Sequence, residues 1–335
     1  MTERAVVCGV GYWLPGRVVT NAEFSERLDT SDEWIVQRTG ISRRRWVEPG
    51  EATSDLAVEA GRAALKSAGS GHVDAVVLAT TTPDYRCPAT APEVAARLGL
   101  SGVAAFDISA VCTGFLYGLA TAAGFIAAGM AERVLLIAAE AFSTLLNPHD
   151  RTTAPIFGDG AGAVVLRRGQ ADEPGAIGPL ILGSDGDLSE LITVKAGGSR
   201  QPLQESAPGD GSQYFQMRGR EVFRQSVERM SAAGTDALNA AGWRLGDVDR
   251  MVAHQANARV NTALAARLGL PPEVVARNIA DVGNTAAASI PVLLAQAASN
   301  GTLEPGHRVL LLAFGGGLTW GATTLTWPEL DVHDA

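Results

Sequence analysis

Short apolar runs rich in β-branched residues alternate with longer alanine-rich stretches along the whole chain. The runs DAVVLATT from Asp74 and RVLLIAAEAF from Arg133 have the length and composition of buried strands. The stretch from Gly114 to Met130 places bulky side chains at helical spacing, which predicts a buried helix. This alternation is typical of strands joined by helices in a mostly parallel sheet covered on both faces, so we predict an α/β protein.

The order of these segments repeats in the second part of the chain. The matching pairs are DAVVLATT at Asp74 with DRMVAHQA at Asp249, FDISAVC with RNIADVGN, RVLLIAAEAF at Arg133 with RVLLLAFGGG at Arg308, and GAGAVVLRR with GATTLTW. Both spans have the same length, since 133 − 74 = 59 and 308 − 249 = 59, which indicates an internal duplication. We predict two related halves, residues 1–171 and 172–335, that meet at the polar segment RRGQADEPGA. A second polar, glycine-rich stretch, Lys195 to Gly211, is predicted to be an excursion within the second half.

Composition and charge narrow the function classes. Of 335 residues, 46% are hydrophobic and 19% charged, so the chain can bury a large core. The net charge of -9 argues against a nucleic-acid or anionic-membrane partner, although Arg38, Arg43, Arg44 and Arg45 form a local basic cluster that can attract an anion. No signal-peptide cleavage site follows the amino terminus, and no apolar stretch reaches the roughly 20 residues of a membrane span, so a cytoplasmic location is expected. Three cysteines without metal-ligand spacing support neither a disulfide framework nor a metal site.

Cys112 is the candidate nucleophile. It lies between the apolar run VAAFDISAV and the predicted helix, so it is expected at a strand-to-helix turn. At a helix N-terminus the peptide dipoles and free N–H groups favour the thiolate, which is the nucleophilic form. The alternative is a small buried cysteine without chemistry, which is the more common state of a free cysteine.

Two polar residues follow strands of the second half. His254 ends the apolar run DRMVA, and Asn284 follows the strand equivalent to the one that precedes Cys112. If the halves pack about a pseudo-twofold axis, the carboxyl ends of equivalent strands face each other, and both side chains approach the thiol. Taken singly, His254 would be a structural histidine and Asn284 a turn residue after Gly283.

Together these three residues suit one reaction class. Cys112 takes an acyl group as a thioester, while the imidazole and the carboxamide hydrogen-bond a second thioester's carbonyl and stabilise the enolate formed as carbon dioxide leaves. The run FGGGLTWG, from Phe314, lets bare backbone approach a ligand, so the N–H groups of Gly316 and Cys112 could form an oxyanion hole. A tight glycine turn is the simpler interpretation of this run and is compatible with that role.

The chain resembles the ketoacyl-[acyl-carrier-protein] synthase III family over nearly its whole length. The segments that match family signatures, in family order, are DTSDEWIVQRTGI (29–41), DISAVCTGF, DRTTAPIFGDGAGAVVL (150–166), HQANARV, VGNTAAASIP and FGGGLTWG. The resemblance implies a thiolase-like fold, in which two βαβαβαββ-type halves form five layers in the order α-β-α-β-α. It also implies decarboxylative Claisen condensation of a starter acyl-CoA with malonyl-[acyl-carrier-protein], which initiates fatty-acid or polyketide chains, with acyl-CoA as a substrate and no cofactor.

The resemblance further implies a homodimer and a role for each matched residue. The catalytic triad is Cys112, His254 and Asn284; the coenzyme A site is Trp34, Arg38, Thr39 and Arg151; the gating aromatic is Phe314; the basic face for the acidic carrier protein is Arg224, Arg259 and Arg267. The residue types agree, because an indole can stack on adenine and guanidinium groups suit phosphates. Without these motifs, the tryptophan would be interpreted as a core aromatic and the arginines as solvated surface residues.

Cys87 departs from the family pattern. In RCPAT it stands where the family commonly has a phenylalanine that reaches across the dimer and bounds the partner's acyl pocket. The smaller side chain predicts a roomier pocket that accepts longer or branched starters, as in enzymes that prime aromatic polyketide pathways.

Three alternatives differ in chemistry. A synthase III homologue that moves the acyl group to an oxygen or nitrogen nucleophile would keep much of the same site. A nicotinamide-dependent dehydrogenase is suggested by CGVGYWLPG, but Leu14 stands where the third glycine of a dinucleotide loop belongs, so a strand-to-loop turn is the better interpretation. A non-catalytic scaffold would require Cys112 to be inert.

Overall fold

Two large β-sheets, two small sheets of two strands each and the helices around them make up the part of the chain that the computed structural model describes, residues 3–205 and 209–332. The strands are β1 (Glu3–Trp13), β2 (Arg17–Thr20), β3 (Arg43–Trp46), β4 (Ala75–Ala79), β5 (Ala104–Ile108), β6 (Arg133–Glu140), β7 (Gly160–Gln170), β8 (Ile181–Ser184), β9 (Ile192–Thr193), β10 (Gln216–Met217), β11 (Arg250–Ala253), β12 (Arg308–Gly315) and β13 (Thr319–Thr326). The helices are α1 (Asn21–Ser25), α2 (Asp32–Thr39), α3 (Thr53–Ser67), α4 (Ala91–Arg97), α5 (Gly114–Ala127), α6 (Gly219–Ala241), α7 (Ala258–Leu268), α8 (Ile279–Val282) and α9 (Ser289–Ser299).

The two large sheets are mixed rather than mostly parallel, so that part of the prediction is wrong. The first has the order β1-β7-β6-β4-β5 and the second the order β11-β12-β13-β8. Strand β4 runs parallel to β5 and β6, since α4 and α5 make the crossovers. No α-helix separates β6 from β7 or β12 from β13, and these pairs are antiparallel.

The elements stack in five layers, which confirms the predicted order α-β-α-β-α. Helices α3 and α4 share a core with one face of the first sheet, and α6 and α7 share a core with one face of the second. Helices α5 and α9 lie between the two sheets and join their inner faces in a third core. The predicted apolar helix from Gly114 is therefore α5, which is covered on both sides.

The repeat in the sequence corresponds to equivalent positions in the two sheets. Strand β12 starts 175 residues after β6 (308 − 133 = 175), and both strands are eight residues long. The 3₁₀ turns Val111–Thr113 and Ala286–Ala288 keep the same spacing (286 − 111 = 175) and precede α5 and α9. The division between residues 171 and 172 stays a prediction; β7 ends just before it, at Gln170.

Two glycines in β1 allow α3 to pack unusually close to the first sheet. A Cβ added at Gly9 would lie 2.5 Å from the carbonyl oxygen of Ala64, and one at Gly11 would lie 2.6 Å from the Cβ of Ala63. The glycines of CGVGYWLPG therefore belong to strand–helix packing rather than to a phosphate-binding loop.

The predicted excursion, Lys195 to Gly211, lies between β9 and β10. Its described part contains one 3₁₀ turn, Leu203–Glu205, and residues 206–208 lie outside the described residues. Within the ranges described, every helix is too short or too polar to cross a bilayer.

Candidate active site

One cavity of about 840 Å³ brings most of the predicted site residues together. Those that line it are Trp34, Arg38, Thr39, Cys112, Arg151, His254, Arg259, Asn284 and Phe314. Both halves contribute to its wall, because Cys112 follows β5 while His254 and Asn284 come after residue 172. The cavity joins the buried ends of the strands to exposed arginines.

Cys112 lies in the middle of the 3₁₀ turn between β5 and α5. The turn is sharp, since the preceding Val111 has a φ of 48°, a left-handed conformation that a β-branched residue rarely adopts. Thr113 secures it from the other side, because its hydroxyl donates to the carbonyl of Ala110 at 2.6 Å and lies 2.6 Å from the hydroxyl of Thr319. The nucleophile candidate is therefore held by a tight backbone rather than by long side chains.

Gly315 gives the backbone of Cys112 its open surroundings. A Cβ at Gly315 would lie 2.9 Å from the Cys112 nitrogen and 3.2 Å from its Cβ. Any larger residue would therefore press on the N–H group proposed for the oxyanion hole. Gly316, the other predicted member, comes next in the chain and packs against Ile192 and Val111.

The ionisation of Cys112 differs from the expectation for a helix N-terminus. Burial raises the pKa of the thiol well above its usual value, and the negative charge of Glu140 raises it further. The backbone N–H of Cys112 lowers the pKa, but by less. Burial therefore outweighs the helix terminus, and the thiol is protonated at neutral pH.

His254 is a buried, neutral imidazole at the end of β11. Burial lowers its pKa to about 3. Its Nδ1 lies 2.6 Å from the hydroxyl of Ser289, which also accepts a hydrogen bond from the Gln255 N–H at 3.3 Å. Because that oxygen already accepts from Gln255, its hydrogen suits donation to Nδ1, and the ring proton is then on Nε2. This tautomer offers the cavity a hydrogen-bond donor.

The carboxamide of Asn284 is oriented by its own turn. Its Oδ1 accepts a hydrogen bond from the Ala286 N–H at 2.9 Å, so the Nδ2 group is left for a ligand. The backbone around it is fixed on both sides, since the Asn284 N–H donates to Ile156 and its carbonyl accepts from Gly158. Asn284 therefore adds a second neutral donor to the cavity.

Three of the predicted coenzyme A residues form a stack at the exposed side of the cavity. The guanidinium groups of Arg38 and Arg151 lie 4.8 and 5.5 Å from the ring centroid of Trp34. Arg151 also forms a salt bridge with Asp29 at 3.0 Å. The cluster offers an aromatic face beside two positive charges.

Thr39 lines the same region, but its hydroxyl is already engaged. It donates to the Ile35 carbonyl at 2.6 Å and accepts from the Ile41 N–H at 3.1 Å.

Arg44 does not belong to the predicted basic cluster, since it is wholly buried and donates hydrogen bonds to the Val19 carbonyl and to Asn21. That part of the sequence-based interpretation is wrong.

The residues predicted to meet the carrier protein separate into two groups. Arg259 lines the cavity at the start of α7, whereas Arg224 and Arg267 are exposed on α6 and α7 away from the lining. The lining includes instead Arg220 and the partly exposed Phe223 of α6, which the sequence analysis missed. Nothing in the sequence distinguished these two residues, because an amphipathic surface helix normally carries such residues.

Cys87 does not line the cavity of this chain. It is exposed in the loop between β4 and α4, as are its neighbours Tyr85 and Arg86. Phe314, by contrast, is buried at the end of β12 and lines the cavity. The chain by itself therefore leaves the region around Cys87 open.

The sequence analysis also missed the apolar wall and two polar residues behind the site. Phe142, Phe157 and Phe215 form a cluster with centroid separations of 4.4 to 5.2 Å. Glu140 and Ser289 stand behind the turns of the site and do not line the cavity. No sequence pattern pointed to Glu140 or Ser289, because each lies within an apolar run that predicts a buried strand or helix.

Comparison with known proteins places this geometry in a family. The family model for 3-oxoacyl-[acyl-carrier-protein] synthase III matches residues 106–186, and the model for the C-terminal part of these enzymes matches residues 238–327. Beta-ketoacyl-[acyl-carrier-protein] synthase III 3 of Streptomyces coelicolor is 59% identical over 334 residues, which cover 99% of each chain. The synthase III of Pseudomonas aeruginosa is 50% identical and covers 98% of each. The chain belongs to the 3-oxoacyl-[acyl-carrier-protein] synthase III family.

Solved structures agree with this synthase III assignment. The synthase III of Pseudomonas aeruginosa PAO1 aligns with a TM-score of 0.92 at 48% identity and covers 98% of this chain and 99% of that chain. The priming β-ketosynthase of the R1128 polyketide pathway aligns with a TM-score of 0.89 at 34% identity and 98% coverage of both. The predicted thiolase-like fold and acyltransferase class are confirmed, and the dehydrogenase alternative is wrong. Across the described residues, no cluster of histidine, cysteine or carboxylate side chains is arranged to hold a metal.

Proposed function

We propose that this synthase III accepts a starter acyl group on Cys112 and condenses it with malonyl-[acyl-carrier-protein] bound by His254 and Asn284. The reaction class follows from family membership. The observation that supports these roles is the single cavity that Cys112, His254 and Asn284 line together. No resident cofactor is needed, because the acyl group arrives activated as a thioester.

In the first half-reaction, the sulfur of Cys112 attacks the carbonyl carbon of the acyl thioester, and coenzyme A leaves as its thiol. The oxyanion forms beside the Cys112 N–H, where the bare backbone of Gly315 leaves room. Because burial raises the pKa of the thiol, its proton is lost as the sulfur attacks and passes to the departing sulfur of coenzyme A. The N–H groups of the turn stabilise the charge that develops on the carbonyl oxygen.

In the second half-reaction, malonyl carrier protein loses carbon dioxide and becomes an enolate. Its thioester oxygen accepts hydrogen bonds from Nε2 of His254 and Nδ2 of Asn284, both neutral donors. The enolate carbon attacks the acyl-cysteine carbonyl, and the Cys112 thiolate leaves and takes up a proton. The product is a 3-ketoacyl carrier protein.

The mouth of the cavity suits the rest of coenzyme A. Adenine can stack on Trp34, and its phosphates can meet Arg38 and Arg151. The exposed arginines of α6 and α7, Arg224, Arg259 and Arg267, suit an acidic carrier protein that docks beside the same mouth. Arg220 joins this group because it lines the cavity itself.

A second copy of the chain completes the acyl pocket in this proposal. Strand β5 is the outer strand of its sheet, so its free edge can pair with β5 of another copy and form a homodimer. The exposed loop of Cys87 then reaches the partner's cavity. A cysteine there leaves more space than a phenylalanine, which favours longer or branched starters in a cytoplasmic pathway that makes fatty acids or polyketides.

Mass spectrometry of the intact protein, after exposure to a mixture of acyl-CoAs from two to six carbons, tests both parts. We expect one acyl group per chain, absent in Cys112→Ala, with four- to six-carbon groups loaded at least as well as acetyl. Labelling that survives in Cys112→Ala would refute the nucleophile. Clear preference for acetyl would refute the roomier pocket, and absence of carbon dioxide release from malonyl carrier protein would favour acyl transfer to an oxygen or nitrogen.

A further inference from the structure

Glu140, the last residue of β6, is a fully buried carboxylate close to the cavity. Its oxygens accept hydrogen bonds from the Thr81 N–H at 3.0 Å, the Thr81 hydroxyl at 3.1 Å and the Thr82 hydroxyl at 3.1 Å. The N–H of Ala287 is a further donor. No lysine, arginine or histidine of residues 3–205 and 209–332 forms a salt bridge with it. A buried carboxylate held by neutral donors alone is costly and calls for an explanation.

The internal repeat relates Glu140 to the proposed oxyanion hole. Gly315 follows Glu140 by 175 positions (315 − 140 = 175), and Ala287 follows Cys112 by the same number (287 − 112 = 175). In the first turn, Gly315 lies against the Cys112 nitrogen and contributes no side chain. In the second, the end of β6 packs against the turn Ala286–Ala288, and the Ala287 N–H faces the carboxylate of Glu140. The second turn thus holds an internal anion where the first is proposed to hold the substrate's oxyanion.

The turn that Glu140 holds is the one that orients the two proposed enolate ligands. The Ala286 N–H donates to Asn284 Oδ1, and Ser289, at the start of α9, binds the imidazole of His254. Ala287 lies between these two contacts. A shift of this turn therefore moves both donors at once.

We propose that Glu140 is a positioning residue for condensation, whose buried carboxylate fixes the turn Ala286–Ser289 from the other half of the fold. The proposal deepens the function given above and rests on it for the condensation step. Glu140 touches no substrate and does not line the cavity.

The charge of Glu140 is adjustable near neutral pH. Burial raises its pKa to about 7, against the lowering effect of the bonds from Thr81, Thr82 and Ala287. The titratable group that faces it is Cys112, whose pKa it raises, and its other recorded neighbours are neutral donors. As the pH falls through this range the carboxyl takes up a proton and its opposition to the Cys112 thiolate disappears.

The test is Glu140→Gln, which keeps the shape and removes the charge. We measure alkylation of Cys112 by iodoacetamide as a function of pH, by mass spectrometry, together with acyl loading and condensation. The alkylation profile should move to lower pH by roughly one unit, and condensation should fall about tenfold relative to loading, because the amide cannot satisfy all the donors. Thr81→Val, which removes one of the hydroxyl groups that hold the carboxylate, should lower condensation relative to loading in the same direction.

Glu273→Gln is the matched control, since Glu273 is exposed and does not line the cavity. It should reproduce the wild-type profile and the ratio of the half-reactions. If Glu140→Gln does not fold, Thr81→Val decides alone. A wild-type ratio of condensation to loading in the folded variants would overturn the proposal, even where thermal stability falls. Acyl loading of Cys112 does not depend on this turn, so this failure is distinct from failure of the proposed reaction, which the acyl labelling of Cys112→Ala reports.

Discussion

His254 and Asn284 each use one polar atom to hold themselves in place and keep the other for the cavity. The imidazole is anchored through Ser289 and the carboxamide through the Ala286 N–H. Both donors are neutral, so they can stabilise a developing enolate without an ionisation step of their own. Their contribution therefore falls in the decarboxylation step rather than in acyl loading.

Replacement of either donor should separate the two half-reactions. In His254→Ala and in Asn284→Ala, we expect acyl loading of Cys112 to remain within a few fold of wild type. Condensation should fall about 100-fold or more, as expected when one donor of an oxyanion site is removed. Single-turnover loading followed by addition of malonyl carrier protein measures both steps, and equal losses in both would contradict the assigned roles.

The acid dependence of condensation should not arise from His254. Because its pKa is lowered from an ordinary 6.5 to about 3, the imidazole stays neutral at the pH values at which the enzyme is assayed. The folded pKa lies below the unfolded one, so its stabilising effect is present above pH 6.5 and is lost as the pH falls towards 3. Any ionisation seen in the pH profile of the condensation rate between pH 5 and 8 should therefore persist in His254→Gln.

Single site residues could be predicted from the sequence where a polar residue ends an apolar run. Cys112, His254 and Asn284 were identified because each follows a predicted strand, and the structure lines one cavity with all three. Ser289 and Glu140 were not identified, since each is embedded in an apolar run and its partners are distant in the sequence. Ser289 contacts His254, 35 positions away in the same half, and Glu140 acts on Cys112 through its charge. Composition and spacing contain no record of such contacts.

Among the elements, the repeated strand–turn–helix unit explains how the cavity is assembled. Val111 and Ala286 both adopt positive φ, 48° and 45°, at the same place in their turns. The two turns differ in sequence but share this unusual backbone angle at their first residue. The repeated strands were predictable from hydrophobic runs, whereas the antiparallel direction of β7 and β13 was not, because a hairpin-like return leaves no helical period to detect.

Close packing of α3 on β1 makes the glycines of this strand sensitive positions. Gly11→Ala should destabilise the protein by about 2 kcal/mol, because the new methyl group overlaps the backbone of α3. Gly16→Ala is the matched control, since a Cβ there would have no atom within 4 Å. Thermal unfolding of both variants measures the difference, and an equal melting temperature would show that α3 yields without cost.

In the whole molecule, the free edge of β5 is the feature that bears on assembly. The Ala104 N–H donates to the Asp74 carbonyl on the inner side, so by strand alternation the Ala105 N–H points to the free edge. Ala105→Pro removes that outward donor, and we expect it to convert a dimer to monomers in size-exclusion chromatography. Ala105→Ser keeps the N–H and should remain dimeric, while a monomeric parent protein would disprove pairing through this edge.

Helices α5 and α9 lie between the two sheets and share one core. Neither half covers both sides of its own inner helix, so a fragment cut at the junction would expose a broad apolar surface to water. On heating, the cavity around the sulfur of Cys112 and the rest of the fold should then be lost in a single transition. Evolution of either half of the chain is constrained accordingly, because a substitution that loosens one helix also disturbs the other half, which supplies the remaining reacting groups.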